Sequence, residues 1–97
     1  MNITVDRTNI FIKWLDKLKD RHAKAIITKH IDRIELGNFG DVKSVGDGVY
    51  EKRIDYGPGY RLYYCQTGDT LILLLCGGDK SSQQADIDEA KDIKGKL

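Results

Sequence analysis

An α+β fold, with a helical hairpin packed on one face of an antiparallel sheet and a short C-terminal helix, is predicted by three observations. The first 36 residues carry two apolar stripes at helical spacing. At Gly40 the chain switches to β-branched and aromatic residues. Three glycine-containing turns then follow at intervals of roughly ten residues, the signature of a strand meander.

The elements follow in order. Ile3 to Val5 suits a short first strand, and Thr8 is placed to cap a helix. Ile10, Phe11, Trp14, Leu15 and Leu18 form the first stripe, and Lys19-Asp20-Arg21-His22 reads as a break. Ala23, Ile26, Ile27, Ile31 and Ile34 form the second stripe, ended by Gly37 as a C-terminal glycine cap. Two amphipathic helices with a short connection make an antiparallel hairpin. The turns Gly46-Asp47-Gly48, Gly57-Pro58-Gly59 and Gly68-Asp69 divide the next stretch into strands near 42–46, 49–56, 60–67 and 70–77. A last helix is expected near 82–94, with Ala85, Ile87, Ala90 and Ile93 as its apolar positions. The 97 residues make one domain, without repeats or linkers.

Composition narrows the function classes. Apolar residues are 40% and charged residues 32%, as in ordinary globular proteins. No apolar run reaches the roughly 20 residues that span a bilayer, and the N-terminal residues do not read as a secretory signal. No membrane association and a cytoplasmic location are therefore expected. Cys65 and Cys76 make neither a zinc spacing nor a redox pair and are expected as free thiols. No cofactor motif or metal-ligand cluster stands out. Net charge is +1, but Arg7 to Leu36 holds eight Lys/Arg against four Asp/Glu, so the first half is basic. A basic half suits phosphates, and equally suits two solvated helix faces.

Turn lengths suggest a register. A two-residue Gly68-Asp69 loop sets Tyr63 opposite Leu74 and Arg61 opposite Cys76. A three-residue Gly57-Pro58-Gly59 loop sets Asp55 opposite Arg61 and Arg53 opposite Tyr63. Paired residues share a face. One face then carries Glu51, Arg53, Asp55, Arg61, Tyr63 and the two thiols, open to solvent. The other carries Tyr50, Ile54, Leu62, Tyr64, Leu71, Leu73 and Leu75 and meets the helices. Tyr60 and Tyr63 are candidates to stack on a nucleobase, or equally rim and core residues. His22 and His30 fall on the helices, away from the polar face, as solvated or capping residues.

The string Gly57-Pro58-Gly59-Tyr60-Arg61-Leu62-Tyr63-Tyr64 resembles the signature of RelE/ParE-superfamily toxins, in the HigB-like, phage-related addiction-module branch. Four segments add to the likeness: Trp14 to Asp20, Gly37 to Asp41, Val49 to Ile54, and Leu73 to Lys80. The resemblance implies helices on a twisted antiparallel sheet. It implies a cognate antitoxin, expected as a helix-turn-helix protein through which alone DNA is contacted. It also implies mRNA cleavage at the ribosome without a metal. The alternatives are a ParE-like toxin that binds gyrase, and an inactive binding module or co-repressor.

In RNA-cleaving members basic residues at the positions of Arg53, Arg61 and Lys80 hold the scissile phosphate, a task that suits arginine's planar fork. Glu51 stands where a basic residue is common and is the candidate proton acceptor, or else an ordinary strand residue. Residues 81–86 lack the tyrosine or histidine that some relatives use there, and only Asp86 titrates. The acid–base pair is left open.

Overall fold

The computed structural model describes residues 3–69 and 71–97. Strand β1 (Thr4–Arg7) leads into α1 (Asn9–Lys17) and α2 (Arg21–Glu35). Four strands follow: β2 (Val42–Gly46), β3 (Val49–Ile54), β4 (Tyr60–Thr67) and β5 (Leu71–Asp79). A 3-10 turn (Lys80–Ser82) then opens α3 (Gln83–Gly95). The sheet runs β1-β5-β4-β3-β2. Its four later strands pair antiparallel, and β1 adds a parallel edge against β5.

Local chemistry sets the helix ends. Thr8 accepts the Phe11 N–H and donates to the Leu75 carbonyl, so one hydroxyl both caps α1 and ties it to the sheet. Asp20 accepts from the backbone N–H groups of His22 and Ala23 at the start of α2. Gly37 takes a φ of +88°. Its N–H and that of Asn38 return to the carbonyls of Ile34 and Arg33, the paired bonds of a Schellman cap. The expected hairpin and its glycine stop are both present.

The sheet is covered on two faces. Phe11, Leu15, Ala23, Ile27, Ile31 and Ile34 from the helical hairpin pack on Ile54, Leu62, Tyr64, Ile72 and Leu74. On the reverse, Val49, Tyr63, Cys65, Leu75 and Cys76 are buried around Ala90 of α3. The expectation of one open polar face is corrected here. A face with Val49, Cys65, Leu73 and Leu75 is too apolar to stay in water.

Two registers also differ. Strand β3 stops at Ile54, and the connection to β4 has five residues, closed by Tyr56 N–H to the Ile54 carbonyl and Gly59 N–H to the Tyr56 carbonyl. Arg53 therefore lies opposite Arg61, and Glu51 opposite Tyr63. Between β4 and β5, Cys65 pairs with Leu73 and Tyr63 with Cys76, with an irregularity at Tyr63/Tyr64 that leaves Leu75 extra. This shift turns Leu73 and Leu75 toward α3 instead of the hairpin. Thr70, the expected start of the last strand, lies outside the described residues. Cys65 and Cys76 sit on different rungs as free, buried thiols.

Gly77 and Gly78 let helices approach both faces of β5. A Cβ on Gly77 would collide with the Trp14 ring, and one on Gly78 with the Asp86 carboxylate. The Gly-Gly pair is where α1 and α3 press closest on the sheet.

Candidate functional site

An open cleft of about 550 Å³ lies beside the start of β2, between the residues that lead into that strand and the β3–β4 connection. Its lining includes four cations, Lys52, Arg53, Arg61 and Lys80, against two carboxylates, Asp41 and Asp55. His30 of α2, Ile54, Tyr60 and the glycines 40 and 59 complete it. Four of the sequence-predicted residues, Arg53, Tyr60, Arg61 and Lys80, are thus brought together.

The cations are held differently. Arg53 is half-exposed and bridges to Asp41 at 3.1 Å, while its backbone N–H donates to the Asp41 carbonyl. A pair this solvated contributes little stability, so the guanidinium is easily diverted to a ligand. Arg61 is 8% exposed. Its Nε lies 3.6 Å from Glu51 Oε2 and its Nη1 donates to the Gly59 carbonyl at 3.4 Å. The expected cross-strand pair of Arg61 with Asp55 is replaced by this contact, because the five-residue connection moves Asp55 off the rung. Lys80 is exposed on the 3-10 turn that Asp79 caps through the Ser81 N–H. Gly59, with φ of +82°, brings the β3–β4 connection beside it: a Cβ there would lie 3.7 Å from Lys80 Cβ and 3.9 Å from Arg61 Nη1.

The sequence does not single out Lys52, and it sets His30 away from the polar face. Lys52 is 1% exposed, its stem lies on the hairpin side of the sheet, and its Nζ donates to the Phe39 carbonyl at 2.7 Å. Burial first, then the charge of Arg33, hold its pKa below the usual lysine value, with Asp41 opposing. His30 has an enclosed Nδ1 without a hydrogen-bond partner. Burial, then Lys52, Arg33 and Lys29, push its pKa below 6.5, so the ring is neutral at pH 7. The expectation that His30 lies away from the site is corrected. A signal existed in both cases. Lys52 falls between Tyr50 and Ile54 in the strand alternation, at a core-facing position. His30 sits one turn from Ile27 and Ile34, on the flank of the apolar stripe.

Other expected residues lie elsewhere. Glu51 is fully buried and does not line the cleft. Its Oε2 accepts from Tyr63 Oη at 3.0 Å and from Gln83 Nε2 at 2.9 Å, and Lys43 Nζ stands 3.6 Å from Oε1. A carboxylate enclosed in this way cannot meet a substrate hydroxyl, so the proton-acceptor role does not fit it. Tyr63 is equally buried, and its ring has no free face for a base. Burial, then the Glu51 charge, drive its pKa far above the ordinary tyrosine value. Tyr60 does line the cleft, with its ring edge-on to Trp14 at 6.3 Å, and burial raises its pKa. Asp86 is half-buried under Ser82, whose hydroxyl donates to it, and burial raises its pKa.

Comparison with known proteins places this arrangement. Residues 13–95 match the family described as phage derived protein Gp49-like (DUF891). The chain belongs to the Gp49-like family. A relative in Haemophilus influenzae, described as an uncharacterised protein, is 53% identical over 91 residues, which is 94% of this chain and 92% of that protein. The fold is that of the RelE toxin. An arginine-substituted E. coli toxin RelE in the free state superposes with a TM-score of 0.74 at 16% identity, over 96% of this chain and 99% of that one. The toxin–antitoxin complex RelBE2 of Mycobacterium tuberculosis gives 0.67 at 20% identity, over 82% of this chain and 100% of the other. The α+β class and the C-terminal helix expected from sequence agree with these neighbours.

Proposed function

We propose that this Gp49-like chain is the toxin of a RelE-type toxin–antitoxin pair, and that its cleft cleaves messenger RNA at the ribosome. The observation that carries the reading is the gathering of Lys52, Arg53, Arg61 and Lys80 in one open cleft on this fold. The cleft's four cations outnumber its two carboxylates, and a phosphodiester is an anion of suitable size to offset the excess. The names of the two structural neighbours, a toxin and a toxin–antitoxin complex, support the toxin role and an antitoxin partner. A small helix-turn-helix protein encoded alongside is the expected antitoxin. Among the described residues no helix is long and apolar enough to cross a membrane, in keeping with action in the cytoplasm.

In this reading the substrate supplies its own nucleophile. The 2′-oxygen bonds to phosphorus as its proton passes to an acceptor. The P–O5′ bond breaks, and the leaving oxygen takes a proton from water. Arg53, Arg61 and Lys80 hold the phosphate oxygens, and their charge opposes what builds up in the phosphorane. His30 is the proton acceptor: it borders the cleft and is neutral at pH 7. Tyr60 offers a ring edge to the base beside the scissile linkage.

The test is growth arrest on induction without antitoxin. Arg61→Ala combined with Lys80→Ala should relieve arrest while the purified protein keeps its circular dichroism spectrum. A folded, fully toxic double variant would place the toxic surface elsewhere. DNA damage with intact transcripts would point to gyrase instead, and harmless expression of the unaltered chain to a binding module.

A further inference from the structure

We infer that Glu51 is a positioning residue that aligns two cleft cations at once, Arg61 directly and Lys80 through Gln83. The inference rests on the proposed function for its catalytic readout, but its geometry stands alone.

Glu51 lies on the sheet face that α3 covers, with no exposed surface. A buried carboxylate persists only where donors and cations surround it. Here the Tyr63 hydroxyl and the Gln83 amide donate to Oε2, and Lys43 approaches Oε1 at 3.6 Å. Arg61 adds its Nε, 3.6 Å from the same Oε2. Arg61 also lines the cleft. Its Nη1 is held by the Gly59 carbonyl, and its buried Nε makes no hydrogen bond but faces the Glu51 charge at 3.6 Å on the dry side, which leaves the rest of the fork for an anion on the wet side. An arginine fixed before binding loses less side-chain freedom when the ligand arrives.

The second arm runs through α3. Gln83 is the first residue of that helix and follows directly on the 3-10 turn that begins with Lys80. The Gln83–Glu51 hydrogen bond joins residues 32 apart. It seats the start of α3 on β3, and Asp79 and Ser81 then fix the turn that presents Lys80. Arg61, on β4, and Lys80, on the 3-10 turn after β5, face one cleft because they share this buried anchor.

The test combines a spectroscopic and a kinetic arm, with Glu51→Gln and Gln83→Leu. In nitrogen-resolved NMR the Arg61 Nε–H, assigned by its loss in Arg61→Lys, should be a protected signal in the unaltered chain. In Glu51→Gln it should shift and exchange with water at least ~10-fold faster, and Gln83→Leu should move it the same way by less. In ribosome-programmed cleavage, Glu51→Gln should lower kcat ~10–100-fold, the usual scale for a group acting through its neighbour, with KM and the shape of the pH profile unchanged. An Arg61 signal indifferent to Glu51→Gln would overturn the inference, as would the loss of one limb of the pH profile, the mark of a proton acceptor. Should Glu51→Gln fail to fold, Gln83→Leu decides, and wild-type behaviour in both arms sinks the anchor. Should the unaltered chain cleave nothing, the proposed function fails, while the NMR arm still decides the role of Glu51.

Discussion

Replacing Lys52 with methionine should stabilise the protein while weakening its cleft. Lys52 is 1% exposed, and its ammonium has one hydrogen bond, to the Phe39 carbonyl, with no carboxylate within ion-pair distance among the described residues. Its pKa lies below 10.5 because burial and Arg33 disfavour the charge more than Asp41 supports it. The charged form is thus a net cost to folding at neutral pH. Methionine keeps the stem and removes the charge. The lost charge-assisted bond costs about 1.5–3 kcal/mol. Relief of an unpaired buried ammonium returns several kcal/mol. The balance is a gain on the order of 1 kcal/mol, or a Tm rise of ~4–8 °C for a domain of this size. Urea unfolding with an unchanged slope measures it. The sign has a second check. A depressed lysine pKa means the unfolded chain holds the proton more tightly, so wild-type stability should rise as pH climbs toward 10.5, and this rise should vanish in Lys52→Met. A variant less stable than the parent by 1 kcal/mol or more would show that the ammonium is satisfied where it lies, and the reasoning would fail.

Three further outcomes are expected. Gly77→Ala drives a methyl into the Trp14 ring and should cost roughly 1–3 kcal/mol in urea unfolding with loss of the native tryptophan fluorescence; an unchanged midpoint would mean that α1 yields freely. His30 has a folded pKa below 6.5, so on acidification the unfolded chain protonates first and stability should fall from about pH 6.5 down to the folded pKa; urea midpoints of His30→Gln should lack that component. Thr8→Val removes both the cap of α1 and its bond to Leu75, and a loss of ~1–2 kcal/mol is expected by thermal unfolding.

The helices and their ends were legible because each signal is local. Thr8, the periodic isoleucines and Gly37 act within a turn or two of chain, and no distant contact is needed to interpret them. Asp20 as a cap was also within reach, inside the break before α2. The sheet was harder. Leu71 to Leu75 is apolar on both faces, so alternation carried no information about which side α3 would cover or where Leu75 would bulge. Tyr56 looks like a strand residue, yet it turns out of the sheet to stack on His22 at 5.8 Å and to donate to Asp20, contacts from a helix more than 30 residues earlier. That excursion lengthened the β3–β4 connection and set Arg53 opposite Arg61. Within the candidate site, Arg53, Arg61 and Lys80 were found through a family likeness. Lys52 and His30 were hidden because a lysine in a core-facing position and a histidine flanking an apolar stripe take their meaning from the cleft between them. Glu51 was legible as unusual, but its burial depends on α3, whose packing the short-range pattern did not reveal.

The central claim is that the cleft's cations hold a scissile RNA linkage. Its most direct test is primer extension on a defined mRNA, with purified protein and programmed ribosomes, comparing the unaltered chain with Arg61→Ala/Lys80→Ala. The account predicts new 5′ ends that require ribosomes and vanish in the double variant. Intact transcripts at concentrations of the unaltered protein that halt translation, or identical ends from the double variant, would contradict it.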